Sequence, residues 1–143
     1  MPNVHPLLTH FPIALLTIAL VFDTLAAVRS SSQLERVGWW LHLSGSLGLV
    51  ATVISGLFAK GQVFIAETGK TTLETHEQIR FAVSALFAVL PFWRISTKTM
   101  LPVRWRPIYL ILMFLGVGLV WVGAWYGGEL VYTFGVGVRA TPF

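Results

Sequence analysis

The sequence predicts an all-α integral membrane protein, an antiparallel bundle of four transmembrane helices. Two observations carry this. Of 143 residues, 55% are hydrophobic and only 11% charged, against about 25% charged in an ordinary soluble domain. The apolar residues also fall into four segments, approximately 6–28, 38–59, 79–95 and 107–127, near the roughly 20 residues that a bilayer demands. Little is left for a soluble domain, so the chain reads as one membrane domain over residues 1–143.

The first segment opens "HPLLTHFP". It lacks a basic leader and is too long for the apolar core of a cleaved signal peptide. Pro6 suits the first helical position and leaves His5 just outside it. Pro12 removes the amide that would bond the Leu8 carbonyl, so a distorted or kinked helix start is expected. Residues five apart on an ideal helix point about 140° away from one another. His5 and His10 therefore share a site only if that irregularity exists.

The second segment places Ser44, Gly48, Thr52 and Gly56 on one face. The fourth repeats the spacing with Gly123 and Gly127. Small residues at this interval let helix backbones approach closely in lipid. The third segment is the shortest and carries Pro91. Possible capping boxes precede it, Thr71-x-x-Glu74 and Thr75-x-x-Gln78, and the first would hold His76 inside the opening turns.

Charge sets an expected orientation. The first connection and the third hold Arg29, Arg36, Arg94, Lys98, Arg104 and Arg106 against one acid, Glu35. On the other side, Lys60, Lys70, Arg80 and Arg139 are balanced by Glu67, Glu74, Glu77 and Glu129. Positive residues stay inside, so both termini are expected in the periplasm and the chain in the bacterial inner membrane. Trp39, Trp40, Trp93, Trp105 and Tyr109 would form the inner aromatic belt, and Trp121, Trp125, Tyr126 and Tyr132 the outer one.

The formal net charge of +4 does not indicate nucleic acid, because the basic residues cluster between apolar segments. Cysteine is absent, which excludes disulfides, thiolate metal sites, iron–sulfur clusters and covalent haem attachment. No nucleophile elbow, phosphate loop or dinucleotide fingerprint is present.

The polar residues that remain are few and unevenly placed. His5, His10, His76 and Glu129 come from three distant segments to one membrane face. Asp23 and His42 lie at matching depth near the other face. A buried ionisable residue in a membrane helix is costly and usually paired, so an Asp23–His42 hydrogen bond locking spans one and two is the preferred reading. A proton relay or a second cofactor ligand is the alternative.

Three functions fit. The first is a haem b-binding protein transferring electrons near the outer face, with His10 and His76 as axial ligands and His5 nearby. Arg80 and Arg139 are then candidate propionate partners. The second is a Zn, Cu or Fe site for binding or transport, held by His5, His10, His76 and Glu129. The third is a structural accessory subunit. Expected partners are the lipid bilayer, a second copy or a larger membrane complex, and a periplasmic redox partner.

The two ends, "HPLLTHFPIALL" and "GGELVYTFGVGV", resemble those of a widespread bacterial family of small four-helix membrane proteins described as a domain of unknown function. The resemblance spans nearly the whole chain and implies a four-helix integral membrane fold. It puts His5, His10, His76 and Glu129 at motif positions and leaves His42 outside any motif. It implies an association with haem or electron transfer without fixing an activity.

Overall fold

The computed structural model describes residues 4–61, 63 and 65–138. Four α-helices account for most of them: α1, His5–Arg29; α2, Ser32–Lys60; α3, Glu67–Ser96; and α4, Arg106–Tyr132. A single 3-10 turn, Val103–Trp105, leads into α4. All four helices are long and apolar enough to cross a membrane. The shortest has 25 residues, roughly 38 Å at 1.5 Å per residue, which exceeds the roughly 30 Å hydrocarbon core.

Successive helices run antiparallel. One end of the bundle therefore collects the start of α1, the end of α2, the start of α3 and the end of α4; we call it the His5 end. The opposite, Arg29 end carries the α1–α2 and α3–α4 connections. Helix α1 packs on α2 and α4, and α3 packs on α2 and α4. Helices α1 and α3 are thus diagonal, and whatever joins them must cross the middle of the bundle.

The α1–α2 turn is tight because Ser30 adopts a left-handed conformation, φ 50°, with its N–H bonded to the Ala26 carbonyl. Ser31 then caps α2 by accepting the Leu34 N–H at 3.4 Å, as an N-cap serine does. Three glycines set the closeness of α1 to α2. A Cβ at Gly38 would stand 2.2 Å from Asp23 Oδ1, and one at Gly45 2.7 Å from Leu16 Cγ. Gly48 lies against Pro12. Of the expected small-residue stripe, Gly48, Thr52 and Gly56 face α1 and Ser44 is exposed; Gly38 and Gly45 make the closest approaches. Gly123 and Gly127 of α4 face Ile79 and His76 of α3, in the helix-packing role that their spacing suggests.

Pro12, where a distorted or kinked start is expected, does not break α1. The helix runs uninterrupted through it. The carbonyl of Leu8, which loses its usual backbone donor to the proline, instead accepts a hydrogen bond from Thr52 Oγ1 at 3.3 Å. Neighbouring hydroxyls commonly re-satisfy such carbonyls in membrane helices.

Helix α3 also departs from expectation. It starts at Glu67, with Ala66 as its N-cap, well before residue 79. Thr71 and Thr75 are interior residues rather than caps, and Thr75 Oγ1 donates back to the Thr71 carbonyl at 2.9 Å. The polar stretch before residue 79 is an extension of the helix, a little over three turns long at about 3.6 residues per turn. Helix α4 likewise continues past residue 127, so Glu129 lies in its final turn.

Leu16, Ala19, Leu49, Val83, Phe87, Met113, Val117 and Val120 form the apolar centre. Large side chains such as Phe11, Phe58, Phe92, Phe114 and Trp125 point outward with more than half their surface exposed. In water that pattern would be an aggregation hazard; in lipid it is the surface a bundle needs.

Candidate functional site

Two polar sites occupy opposite halves of the bundle. At the His5 end, the helices splay around a cavity of about 390 Å³, within the roughly 300–1,000 Å³ range of small-molecule sites. Its floor is apolar, made by Leu49, Val83 and Val120. Its polar groups are His5, Thr9, His10, Thr52, His76 and Arg80. Gly123, Ala124, Gly127 and Gly128 line the α4 side together with the bulkier Leu119, Val120, Val131 and Tyr132. His10 and Tyr132 are exposed, so the cavity reaches the surface beside them.

The histidines of this cavity are oriented. His76 Nδ1 lies 2.9 Å from the Gly123 carbonyl, and His10 Nδ1 lies 2.7 Å from the Pro6 carbonyl. A carbonyl only accepts, so in each ring Nδ1 carries the proton. Neutral imidazole then has its lone pair on Nε2. His5 Nδ1 is 3.0 Å from Ser55 Oγ. His10 and His76 arrive from the diagonal helices α1 and α3.

Arg80 is held with its donors largely unspent. Its Nε and Nη2 are buried and make no hydrogen bond among the described residues. The nearest acid, Glu77 Oε1, is 3.9 Å from Nη2, beyond hydrogen-bond reach, and is itself paired with Lys60 at 2.9 Å. Gly56 makes room here: a Cβ would stand 2.9 Å from both Arg80 Nη1 and His5 Cε1. A buried guanidinium with spare N–H groups beside two imidazoles is suited to an anionic group on a ligand.

Glu129 is half-buried in the last turn of α4 and is not among the described residues lining the cavity. No group of three or more His, Asp or Glu side chains among the described residues is arranged to hold a metal ion. Arg139 lies outside the described residues.

The second site lies toward the Arg29 end. Asp23 and His42 are both buried, 6% and 0% exposed, but they do not bond directly. Tyr109 stands between them: its hydroxyl donates to Asp23 Oδ2 at 3.0 Å and lies 2.8 Å from His42 Nδ1. Arg94, fully buried, donates from Nη1 to Asp23 Oδ2 at 2.7 Å and to the Tyr109 oxygen at 2.9 Å. Its Nη2 donates to the Glu35 carbonyl at 2.7 Å. Glu35 in turn accepts from the Leu101 N–H at 2.8 Å and pairs with Arg106 at 3.0 Å. One network thus joins all four helices and the last connection.

A family model described as "Predicted membrane protein (DUF2231)" matches residues 1–140. The chain belongs to the DUF2231 family. No curated protein and no solved structure matches it.

In this DUF2231 chain the residues that sequence reasoning missed are Arg94, Tyr109, Glu35 and Arg106. Arg94 was expected among the loop charges and Tyr109 in an aromatic belt; both are core residues instead. A signal existed. Asp23 is the single acid in an apolar segment, and a buried carboxylate needs a cationic partner at its own depth. Arg94, in the last turn of α3, is a cation at that depth.

Proposed function

We propose that this chain is a haem b-binding protein of the bacterial cytoplasmic membrane, working in electron transfer near its periplasmic face. The observation that carries the reading is the paired tautomer of His10 and His76. Ligating histidines almost always give their second ring N–H to a carbonyl or carboxylate. Both of these do so, and they border one cavity from opposite helices.

The rest of the cavity agrees with that use. On its α4 side Ala124 and Gly128 keep part of the wall low enough for a flat macrocycle, and the apolar floor excludes water. The unspent donors of Arg80 suit a propionate. Bound haem iron supplies one-electron redox chemistry. The chain's own residues hold the group, fix ring orientation through the Pro6 and Gly123 carbonyls, and neutralise acidic side groups. The exposed rim at His10 and Tyr132 is where a periplasmic redox partner, or another subunit of a homo-oligomer or membrane complex, would approach most closely. A Zn, Cu or Fe site built from His5, His10, His76 and Glu129 has less support, since those side chains are not gathered around one point.

Charge supports the orientation with the His5 end and both termini periplasmic. At the Arg29 end, Arg29, Arg36, Lys98 and Arg104 are exposed, while Asp23 and Glu35 are consumed by Arg94 and Arg106. At the His5 end, Lys60 and Lys70 are paired with Glu77 and Glu67. Apart from Arg80 inside the cavity, the unpaired positive charge among the described residues therefore sits at the Arg29 end, the cytoplasmic one by the positive-inside rule.

The test is an absorption spectrum of detergent-purified protein, oxidised and dithionite-reduced, with metal analysis on the same sample. A Soret band that shifts on reduction and is lost in His10→Ala and His76→Ala is expected. A colourless protein that fails to take up added haem, or a full spectrum in both variants, overturns the assignment.

A further inference from the structure

The Asp23–Tyr109–His42 cluster does more than join helices, because its hydrogen bonds have a direction. The Tyr109 oxygen has one proton to give and two lone pairs. Asp23 Oδ2, an acceptor only, takes that proton, and Arg94 donates to one lone pair. His42 Nδ1, at 2.8 Å, therefore donates to the other. The alternative, Tyr109 donating to His42, would leave the hydroxyl and carboxylate oxygens facing each other without a proton. The chain thus reads His42 Nδ1–H to Tyr109 O–H to Asp23.

Each end of this chain is open. His42 Nε2 and Asp23 Oδ1 are buried and have no hydrogen-bond partner among the described residues. An unmet buried polar atom costs roughly 1–3 kcal/mol, so two of them on one network ask for an explanation. Beside Asp23, Glu35, Arg94 and Arg106, a cavity of about 10 Å³ has room for one water. Beyond His42, Ser46 lies one turn further along the same face of α2 and its hydroxyl is also unpartnered. An apolar layer of Leu16, Leu49, Val83 and Phe87 then separates Ser46 from the large cavity, whose floor includes Leu49 and Val83.

We propose that Asp23, Tyr109 and His42 form a proton-transfer chain between the Arg29 end of the bundle and a proton-accepting site at His42 Nε2, closed off from the large cavity by the layer around Leu49. A proton arriving at His42 forms the Nε2–H bond. The Nδ1–H bond breaks and its proton goes to the Tyr109 oxygen, while the original Tyr109 proton passes to Asp23 Oδ2. His42 is left as the other neutral tautomer, Tyr109 is neutral and Asp23 is a carboxylic acid. Water in the small cavity accepts the Asp23 proton and restores the carboxylate. The cluster is reset for a second passage when the Tyr109 hydroxyl turns back toward Asp23 and the His42 side chain turns to present its protonated nitrogen to Tyr109, so that each cycle carries one proton. The same cycle run backward carries protons from the Arg29 end to His42.

The charged groups around the chain suit transit rather than storage. Asp23 on α1 and Glu35 on α2 are balanced by Arg94 on α3 and Arg106 at the start of α4, so the cluster is neutral at rest. One added proton makes it positive in a low-dielectric interior, which favours prompt release. The proposal does not depend on what occupies the large cavity.

The experiment uses the full chain in phosphatidylethanolamine–phosphatidylglycerol vesicles loaded with a pH-sensitive dye, with proton flux driven by a valinomycin–potassium potential. Leu49→Ser extends the row of hydroxyls from Ser46 to Thr52 through the closing layer. It should raise flux about tenfold over the native chain, the effect of removing roughly 1.4 kcal/mol of barrier. Leu49→Ser combined with Tyr109→Phe, or with His42→Phe, should return flux to the native level. No rise in the single variant overturns the proposal. An equal rise in the double variants also overturns it, because the leak would then come from loosened packing.

Discussion

Arg94 Nη1 and Asp23 Oδ2 meet at 2.7 Å across the diagonal of the bundle, joining two helices, α1 and α3, whose backbones are not otherwise in contact among the described residues. Removing one member of such a buried pair strands a charge, at a cost of roughly 3–5 kcal/mol. Arg94→Met should therefore lower the thermal midpoint of detergent-solubilised protein steeply, read by circular dichroism. Adding Asp23→Asn to that variant should recover part of the loss, since the stranded carboxylate is gone. If the double variant is less stable than Arg94→Met, the pair is not the origin of the effect.

The carboxylate reaches this position because residue 38 has no side chain. A Cβ there would overlap Asp23 Oδ1 at 2.2 Å and Asp23 Cγ at 2.8 Å, and the carboxylate is pinned by Arg94 and Tyr109, so it has little room to yield. Gly38→Ala should destabilise by about 1–3 kcal/mol, the usual cost of overpacking. Gly118 is the control: a Cβ there meets nothing within 4 Å, and Gly118→Ala should leave the midpoint unchanged or raise it slightly, because alanine is the better helix former.

Much of this architecture was legible in the sequence, and the failures have a common cause. Hydropathy located four helices, since lipid demands continuous apolar length. Depth counting from helix ends brought Asp23 near His42, and His5, His10, His76 and Glu129 to one end. Rotation about the helix axis was not legible. It decides that Tyr109 turns inward between Asp23 and His42, that Arg94 enters the core, and that Ser44 faces out while Gly45 faces α1. Hydropathy also cuts helices short wherever they leave the apolar zone, which is why the first turns of α3, rich in Thr and Glu, read as a loop.

Thr52 offers a test of how α1 tolerates its internal proline. Its hydroxyl bonds the Leu8 carbonyl that Pro12 leaves without a backbone donor. Thr52→Val should cost about 1 kcal/mol in the native background, the net worth of one hydrogen bond. With Pro12→Ala the backbone amide of residue 12 returns as donor, and the cost of Thr52→Val should fall to near zero. The double-mutant cycle reads this coupling directly; additive losses would show that Thr52 acts by packing alone.

Arg80 separates ligation from anchoring in the large cavity. If His10 and His76 hold haem b, Arg80 contributes through its buried, unspent N–H groups and not through the iron. Arg80→Leu should then keep the Soret position and the reduced spectrum while weakening haem affinity. A charge-assisted hydrogen bond is worth roughly 1.5–3 kcal/mol, or about 10- to 150-fold in the dissociation constant. Arg80→Lys should lose less, because it keeps the charge but not the planar fork. Titration of the purified apoprotein with haem measures both. Native affinity in Arg80→Leu would mean that the guanidinium does not touch the ligand, and a changed spectrum would mean that it positions His76, one helical turn away.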